Sequence, residues 1–526
     1  MKIKKIGGKR KLFNRRANDF KAVQIQTESG GLAVRSLIVF LLIGVQLTIW
    51  ICLHLRFAMA FRWWAIICFI LSVITCLSVL SSNKNGLSKA VWIMFLLLCF
   101  EFSVPIYLLS DERLFFRKAK KRYAKIFERT DCYSPCFQPP KSKKVVVNDC
   151  KYLYGAGKFA CYSQTNLKYF PSGYLFYEDL IAQIERAEHF IFMEYYIFSD
   201  GVLFKRIYQR LCEKIKAGVE VRLIYDDMGS RKGLTRKVKK QLKTAGVKFL
   251  PFNKLVPIFA VGLNYRDHRK IAVIDGKVAF TGGCNLADEY INEKRMHGYW
   301  KDNGVKIWGR AVDGFTLAFL RQWEYLSGIK EDYTNFLGKS LATTNTACVV
   351  PFFDGTEFKQ TVGKTVYQNL ISGATEKLYI MTPYFIPDDT LINSLIAKSL
   401  SGVDVRIVIP DIPDKNYVYK VTKRNAEKLV EHGIKVYAPK NAFVHAKVIM
   451  SENAVVTGSI NFDLRSFYQQ FESAVYTDDL KFMAEVENDF TKVFKQEFLL
   501  DVKSLRRKNI FNKAITGFLQ LFAPLM

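Results

Sequence analysis

The hydrophobic pattern changes character near residue 110. Before that point lie three apolar runs, residues 36–55, 63–81 and 90–109, each 19 or 20 residues long. A helix rising ~1.5 Å per residue needs about that length to cross a hydrocarbon core of ~30 Å. Short polar connections (Arg56 to Arg62, Ser82 to Lys89) separate the runs, so residues 36–110 are expected to hold up to three transmembrane helices. A cleaved signal peptide does not fit, because the first run starts late and no small-residue cleavage site follows it. The third run contains Glu101 and Pro105. An ionisable group at membrane depth is costly and is ordinarily buried against protein or water, so this run reads as a polar functional contact, a packed helix or a re-entrant hairpin.

From about residue 151 short apolar strands alternate with amphipathic helices, and the alternation repeats. Tyr177 to Tyr196 reads as a helix running into a β-branched and aromatic strand, and Tyr367 to Tyr384 repeats it. Gly218-Val-Glu-Val-Arg-Leu-Ile-Tyr-Asp226 is echoed by Gly402-Val-Asp-Val-Arg-Ile-Val-Ile-Pro410, and Ala245-Gly-Val-Lys-Phe249 by His432-Gly-Ile-Lys-Val436. Internal similarity at this scale marks a duplicated unit. Alternating strand and helix argues an α/β fold with a mixed, mainly parallel sheet. The expected architecture is therefore two similar halves, 151–340 and 341–500, packed about a pseudo-twofold axis with a site where they meet.

Charge sharpens the outer segments. The 526 residues carry 78 Lys+Arg against 48 Asp+Glu, a net charge of +30, yet half are hydrophobic, which excludes a mainly disordered chain. Nine Lys/Arg fall in residues 1–22, and Arg113, Arg117, Lys118, Lys120, Lys121 and Arg122 follow the third run. The first 35 residues are thus a basic tail and 111–150 a basic juxtamembrane linker. By the positive-inside tendency both flanks favour the cytoplasm, whereas three full crossings would separate them; either one run fails to cross or one flank is translocated. At the other end, Lys503 to Lys508 followed by Ile510, Phe511, Ile515, Phe518, Leu519 and Phe522 makes 501–526 an amphipathic tail, either lying on lipid or docked on the protein. Eleven cysteines include no CxxC pair and no tight Cys/His cluster in sequence, so neither a disulfide scaffold nor a zinc site is expected. Their unpaired pattern favours a cytoplasmic catalytic region.

The repeat ends in chemistry. The first half carries His268-Arg-Lys270 and, later, Asp275 and Gly282-Gly-Cys-Asn285. The second carries His445-Ala-Lys447 and Glu452, then Gly458-Ser459-Ile-Asn461. His and Lys two apart on a strand share a face. Together the sets suit phosphodiester transfer. One imidazole attacks phosphorus as a nucleophile and the other serves as general acid and base. Lys270 and Lys447, with Asn285, Asn461 and Ser459, stabilise the non-bridging oxygens. Because lysines supply the positive charge, no metal or other cofactor is expected. Each imidazole needs an acceptor on its other nitrogen, and Asp302 and Glu472, downstream of the two motifs, are expected to serve each its own half. Cys284 reads as a small core residue.

These motifs, with Asn264-Tyr-Arg-Asp-His268-Arg-Lys270, Gly282 to Tyr290, Asn461-Phe-Asp-Leu-Arg-Ser-Phe467 and the ending Phe518 to Pro524, resemble the bacterial cardiolipin synthases of the phospholipase D superfamily, from about residue 85 onward. The resemblance implies a bacterial membrane enzyme that converts two phosphatidylglycerols into cardiolipin and glycerol through a phosphohistidine. It implies no nucleotide or metal, anionic lipid as partner and no nucleic acid. It favours His268 as nucleophile and His445 as acid/base, an order the residues themselves leave open. Glu452 departs from the pattern, which has Asp there; in the family that residue supports the motif instead of touching phosphorus. Three other readings share the motifs: another phosphatidyltransferase or lipid hydrolase, a nuclease, against which the apolar runs argue, and a scaffold with a decayed second half.

Overall fold

The computed structural model describes residues 41–52, 58–82, 86–110, 112–254, 265–355, 357–495, 499–505 and 510–523; the expected basic tail, 1–35, lies outside them. The chain forms two compact units. One holds residues up to Ala119, and the other holds the bulk of the chain from Lys120 onward.

In the N-terminal unit the three expected spans are not three equal helices. Of the first run, the helix Leu41–Cys52 is described. The second is a helix over Ala58–Leu80, of which Arg62–Leu80 is long and apolar enough to cross a membrane. The third is broken into Gly86–Leu98 and Phe100–Ser110, each too short to cross alone. Pro105 sits inside the second of these helices. Pro105 has no N–H for the carbonyl four residues back, and the carbonyl of Glu101 instead accepts the Gln46 side-chain amide. At the break itself, the Leu96 carbonyl accepts Ser72 Oγ at 2.5 Å and Ser103 Oγ at 3.3 Å. Cys76, Val79, Leu96 and Tyr107 form a small core between these helices. The third run is thus a packed, interrupted hairpin, as the Glu101 and Pro105 positions allowed.

The larger unit contains the repeat. Its strands are β1 Thr165–Phe170, β2 Phe190–Tyr195, β3 Glu220–Asp226, β4 Lys248–Phe252, β5 Arg266–Asp267, β6 Lys270–Ile274, β7 Val278–Gly282, β8 Tyr299–Lys301 and β9 Gly304–Gly309. The second half adds β10 Val349–Asp354, β11 Lys377–Met381, β12 Asp404–Val408, β13 Lys435–Tyr437, β14 Ala442–Val444, β15 Val448–Ser451, β16 Val455–Gly458 and β17 Gln470–Thr477. One sheet runs β1-β9-β7-β6-β2-β3-β4 and the other β10-β17-β16-β15-β11-β12-β13. The order is the same position for position. So is the pairing: β2–β3, β3–β4, β11–β12 and β12–β13 are parallel, and the other neighbours within each path are antiparallel.

The sheets are therefore mixed but mainly antiparallel, a correction to the expected parallel bias. The reason is local. Helices Val202–Lys216 and Arg236–Ala245 provide crossovers between β2, β3 and β4, which keep those strands parallel. The motif strand β6 instead turns straight back into β7 through Asp275 and Gly276, at φ +54° and +63°, as a hairpin. β2, β6 and β17 are buried along their whole length, as strands covered on both faces must be.

Residues 120–150 do not behave as a linker. The helix Glu112–Thr130 gives Tyr123, whose hydroxyl bonds Gln322, and Thr130, which accepts Arg321 Nε at 2.8 Å. The C-terminal helix Ile510–Leu521 packs on Asn416–Val430, the docked alternative, while Phe518 remains 60% exposed.

Candidate active site

Two short pairings decide how the site is built. β5, just before His268, pairs in parallel with Gln470 and Phe471 of β17. β14, just before His445, pairs in parallel with β8. His268 N then donates to the Phe471 carbonyl at 2.8 Å, and His445 N to the Lys301 carbonyl at 2.7 Å. Each motif is thereby stitched onto the segment that carries the other half's carboxylate.

The carboxylates consequently work across the halves. His268 Nδ1 lies 3.0 Å from both oxygens of Glu472, and His445 Nδ1 lies 2.7 Å from Asp302 Oδ2. The expectation that Asp302 and Glu472 each serve the half that contains them is corrected: they are exchanged. Sequence proximity suggested the wrong partner because β5–β17 and β8–β14 bring together residues far apart in the chain, Glu472 lying 204 residues from His268 and Asp302 lying 143 from His445.

Around these pairs the site is dry. Both histidines, both lysines and both carboxylates are at least nine-tenths buried. Lys270 Nζ donates to the His268 carbonyl at 2.5 Å, and Lys447 Nζ donates to that of His445. Lys447 Nζ is also 2.8 Å from His445 Nδ1. Nδ1 cannot both donate and accept, and the carboxylate at 2.7 Å is the stronger partner for an N–H. That leaves Nε2 of each imidazole with its lone pair free.

The proton affinities of His268, His445, Lys270, Lys447 and Glu472 are shifted, in each case chiefly by burial. His268 is held well below its ordinary value by burial and by Lys270, Lys447, His445 and Arg465. His445 is lowered to about 4 by burial and Lys447, with Asp302 pulling the other way. Burial brings Lys270 down to about 7 and Lys447 to about 8, and it lifts Glu472 to about 8. Mutual influence among His268, His445, Lys270 and Lys447 places the two motifs in one locus.

Other expected residues fall into different places. Asp275 accepts the backbone N–H groups of Glu188, His189 and Phe190 at 2.7–2.9 Å. Glu452 does the same for Thr375, Glu376 and Lys377, at 2.8–3.4 Å. Each is five residues beyond its lysine, ~16 Å along the strand. Neither belongs with the reacting groups, and the grouping of Asp275 and Glu452 as catalytic is corrected to strand anchoring. The extra methylene of Glu452 is absorbed at the equivalent backbone.

Ser459 is also placed differently from its expected phosphate contact: its hydroxyl donates to Glu472, as does that of Ser466. Asn285 is spent on protein, accepting Ile197 N at 3.1 Å and donating to Tyr290 OH at 2.6 Å. Asn461 keeps a buried, unpartnered Oδ1. Cys284 is fully buried, as a core residue. Sequence reasoning missed four residues. Tyr196 lies against His268 and under the Lys270 ammonium, with ring distances of 5.2 and 5.6 Å. Tyr290 and Trp300 flank His445 at 5.4 and 5.2 Å. Arg465 keeps a buried Nε without a hydrogen-bond partner. Arg465 stood inside the quoted Asn461–Phe467 stretch and was the most findable of them.

Two His-x-Lys strands on two copies of one sheet, buried at one locus, define a phospholipase D-like enzyme acting on phosphate groups. The family described as "Cardiolipin synthase, PLD-like domain" matches residues 180–305 and 367–494, once on each half. A cardiolipin synthase of Alkalihalophilus pseudofirmus is 33% identical over 66% of this chain and 70% of its own length. An uncharacterized protein of Streptococcus mutans is 35% identical over 86% of this chain and 99% of its own. The crystal structure of phosphatidylserine synthase from Haemophilus influenzae superposes with a TM-score of 0.55 at 14% identity, covering 72% of this chain and 97% of that one, a likeness of fold. The chain belongs to the cardiolipin synthase family.

Proposed function

We propose that the protein is a bacterial membrane phosphatidyltransferase that makes cardiolipin and glycerol from two phosphatidylglycerol molecules. The observation that carries this reading is the crosswise pair of buried His–carboxylate units with both lysines at one locus. The cardiolipin synthase relatives supply the substrate class.

His268 is assigned as the nucleophile and His445 as the acid/base. Burial, with Lys270, Lys447 and Arg465 nearby, opposes protonation of His268, so it keeps the Nε2 lone pair needed for attack. His445 has Asp302 favouring its protonated form. In the first step His268 Nε2 bonds to phosphorus, the bond from phosphorus to the head-group glycerol oxygen breaks, and the glycerol takes a proton from His445. In the second step His445 accepts the proton of a hydroxyl on the second phosphatidylglycerol. That oxygen attacks phosphorus and the P–N bond breaks, restoring His268. The arriving phosphodiester anion raises the proton affinity of His445 and of the lysines by its charge. Lys270, Lys447 and Arg465, whose Nε has no hydrogen-bond partner, hold its non-bridging oxygens, with Asn461 beside them. The reciprocal contacts of the halves support a pseudo-twofold site. The apolar helices hold the enzyme at the cell membrane, and the unpaired cysteines favour a cytoplasmic site.

The test uses full-length protein in phosphatidylglycerol vesicles with EDTA and a His268→Ala control, with products separated by mass. Cardiolipin plus glycerol, absent from the variant, is the expected result. Phosphatidic acid alone would make the enzyme a hydrolase, and no lipid product would overturn the assignment.

A further inference from the structure

The fold assembles a cluster that the sequence hides. Cys150 sits in the helix Lys144–Gly157, Cys161 precedes β1 and Cys348 immediately precedes β10. Their three Sγ atoms all lie within 4.8 Å of one another, with Cys150 and Cys348 at 3.2 Å. None is in a disulfide, and Cys150 and Cys348 are each 1% exposed. The expectation of no cysteine cluster is thus reversed by tertiary structure.

The backbone around the thiols is fixed before any ligand arrives. Tyr162 and Val349, each next to a cluster cysteine, exchange both of their backbone hydrogen bonds at 2.9 Å. Cys348 N donates to Asp478 Oδ1 at 2.8 Å. The third thiol projects from a helix whose Asp149 accepts the Tyr476 hydroxyl at 3.0 Å. Four thiolates around zinc at ~2.3 Å stand ~3.8 Å apart, inside the span this cluster already has. Three convergent sulfurs are the donor set of soft or borderline-soft cations, and oxygen-seeking magnesium and calcium take other ligands.

We propose that Cys150, Cys161 and Cys348 form a three-thiolate site for a zinc-class divalent cation. Such a cation would tie the helix ahead of the catalytic halves to the opening segments of both. The site stands apart from the His–Lys centre and does not depend on the assigned reaction.

The test is metal content of the full-length protein, purified in detergent under reducing conditions after zinc loading, with any affinity tag removed. About one zinc per chain is expected, falling severalfold in Cys161→Ser and Cys348→Ser but not in a Cys132→Ser/Cys136→Ser control. Cobalt substitution of the unmodified protein should give thiolate-to-cobalt absorption in the near ultraviolet, which needs no variant to fold. A wild-type protein without stoichiometric zinc and without that absorption overturns the proposal. So does Cys161→Ser, a conservative change at a partly exposed position, if it binds cobalt as wild type does.

Discussion

The two halves share a sheet order yet hold their histidines differently. His268 meets a longer carboxylate, Glu472, which is braced by the hydroxyls of Ser459 and Ser466. His445 meets a shorter one, Asp302, braced by Asn303 N at 2.8 Å and the Trp300 indole at 3.4 Å. The residue facing each carboxylate changes with it. Where the second half has Ser459, the first has Gly283, and a Cβ at Gly283 would come within 2.0 Å of Asp302 Oδ1. Further out the contacts are reciprocal again: Thr281 meets Ser473 at 3.2 Å, and Thr457 accepts Asn303 Nδ2 at 2.6 Å. The frame is thus common to the two halves while the His–carboxylate pairs differ, as the proposed division of tasks between the imidazoles requires.

The sharpest way to break that division is to remove each imidazole. His268→Ala should abolish transfer and leave no covalent lipid adduct. His445→Ala should slow turnover by ~10²–10⁴-fold while a phosphatidyl adduct forms on His268, visible as a mass increase of the intact protein. An adduct in His268→Ala and none in His445→Ala would reverse the assignment.

The crosswise pairing makes a smaller, more specific prediction. His268→Gln and Glu472→Gln should be strongly non-additive in kcat/KM, with a coupling of ~0.5–3 kcal/mol, whereas His268→Gln and Asp302→Asn should combine closer to additively. The opposite result would restore the carboxylates to their own halves. Gly283→Ser should disturb His445 through Asp302 and depress activity more than Ser459→Gly, which removes one donor from Glu472.

Protonation supplies a gentler lever. In the proposed reaction Lys270 and Lys447 hold the phosphodiester as cations, and burial lowers them to about 7 and about 8. As pH rises through that range the free enzyme loses the cations, so kcat/KM should fall on the alkaline side, and Lys447→Arg should move that limb upward. The smallest effect concerns Glu452. Glu452→Ala should cost ~0.5–1.5 kcal/mol of stability by removing its hydrogen bonds from backbone N–H groups, read as a lower melting temperature with per-molecule activity largely kept. Glu452→Asp should lie between the two.

Much of this molecule was legible in one dimension. The repeat, the two His-x-Lys strands, the Asp275 and Glu452 ends and the participation of Asp302 and Glu472 all follow from local pattern, because residue spacing along a strand fixes which side chains share a face. What spacing could not supply is which strand lies beside which. The exchange of Asp302 and Glu472 depends on the pairings β5–β17 and β8–β14. The diversion of Ser459 from phosphate to Glu472 depends on the fold of β17. The meeting of Cys150, Cys161 and Cys348 depends on a helix and two strand openings packing together. Such contacts are set by the burial of distant apolar surfaces against each other, a property of the whole chain that no window of sequence contains.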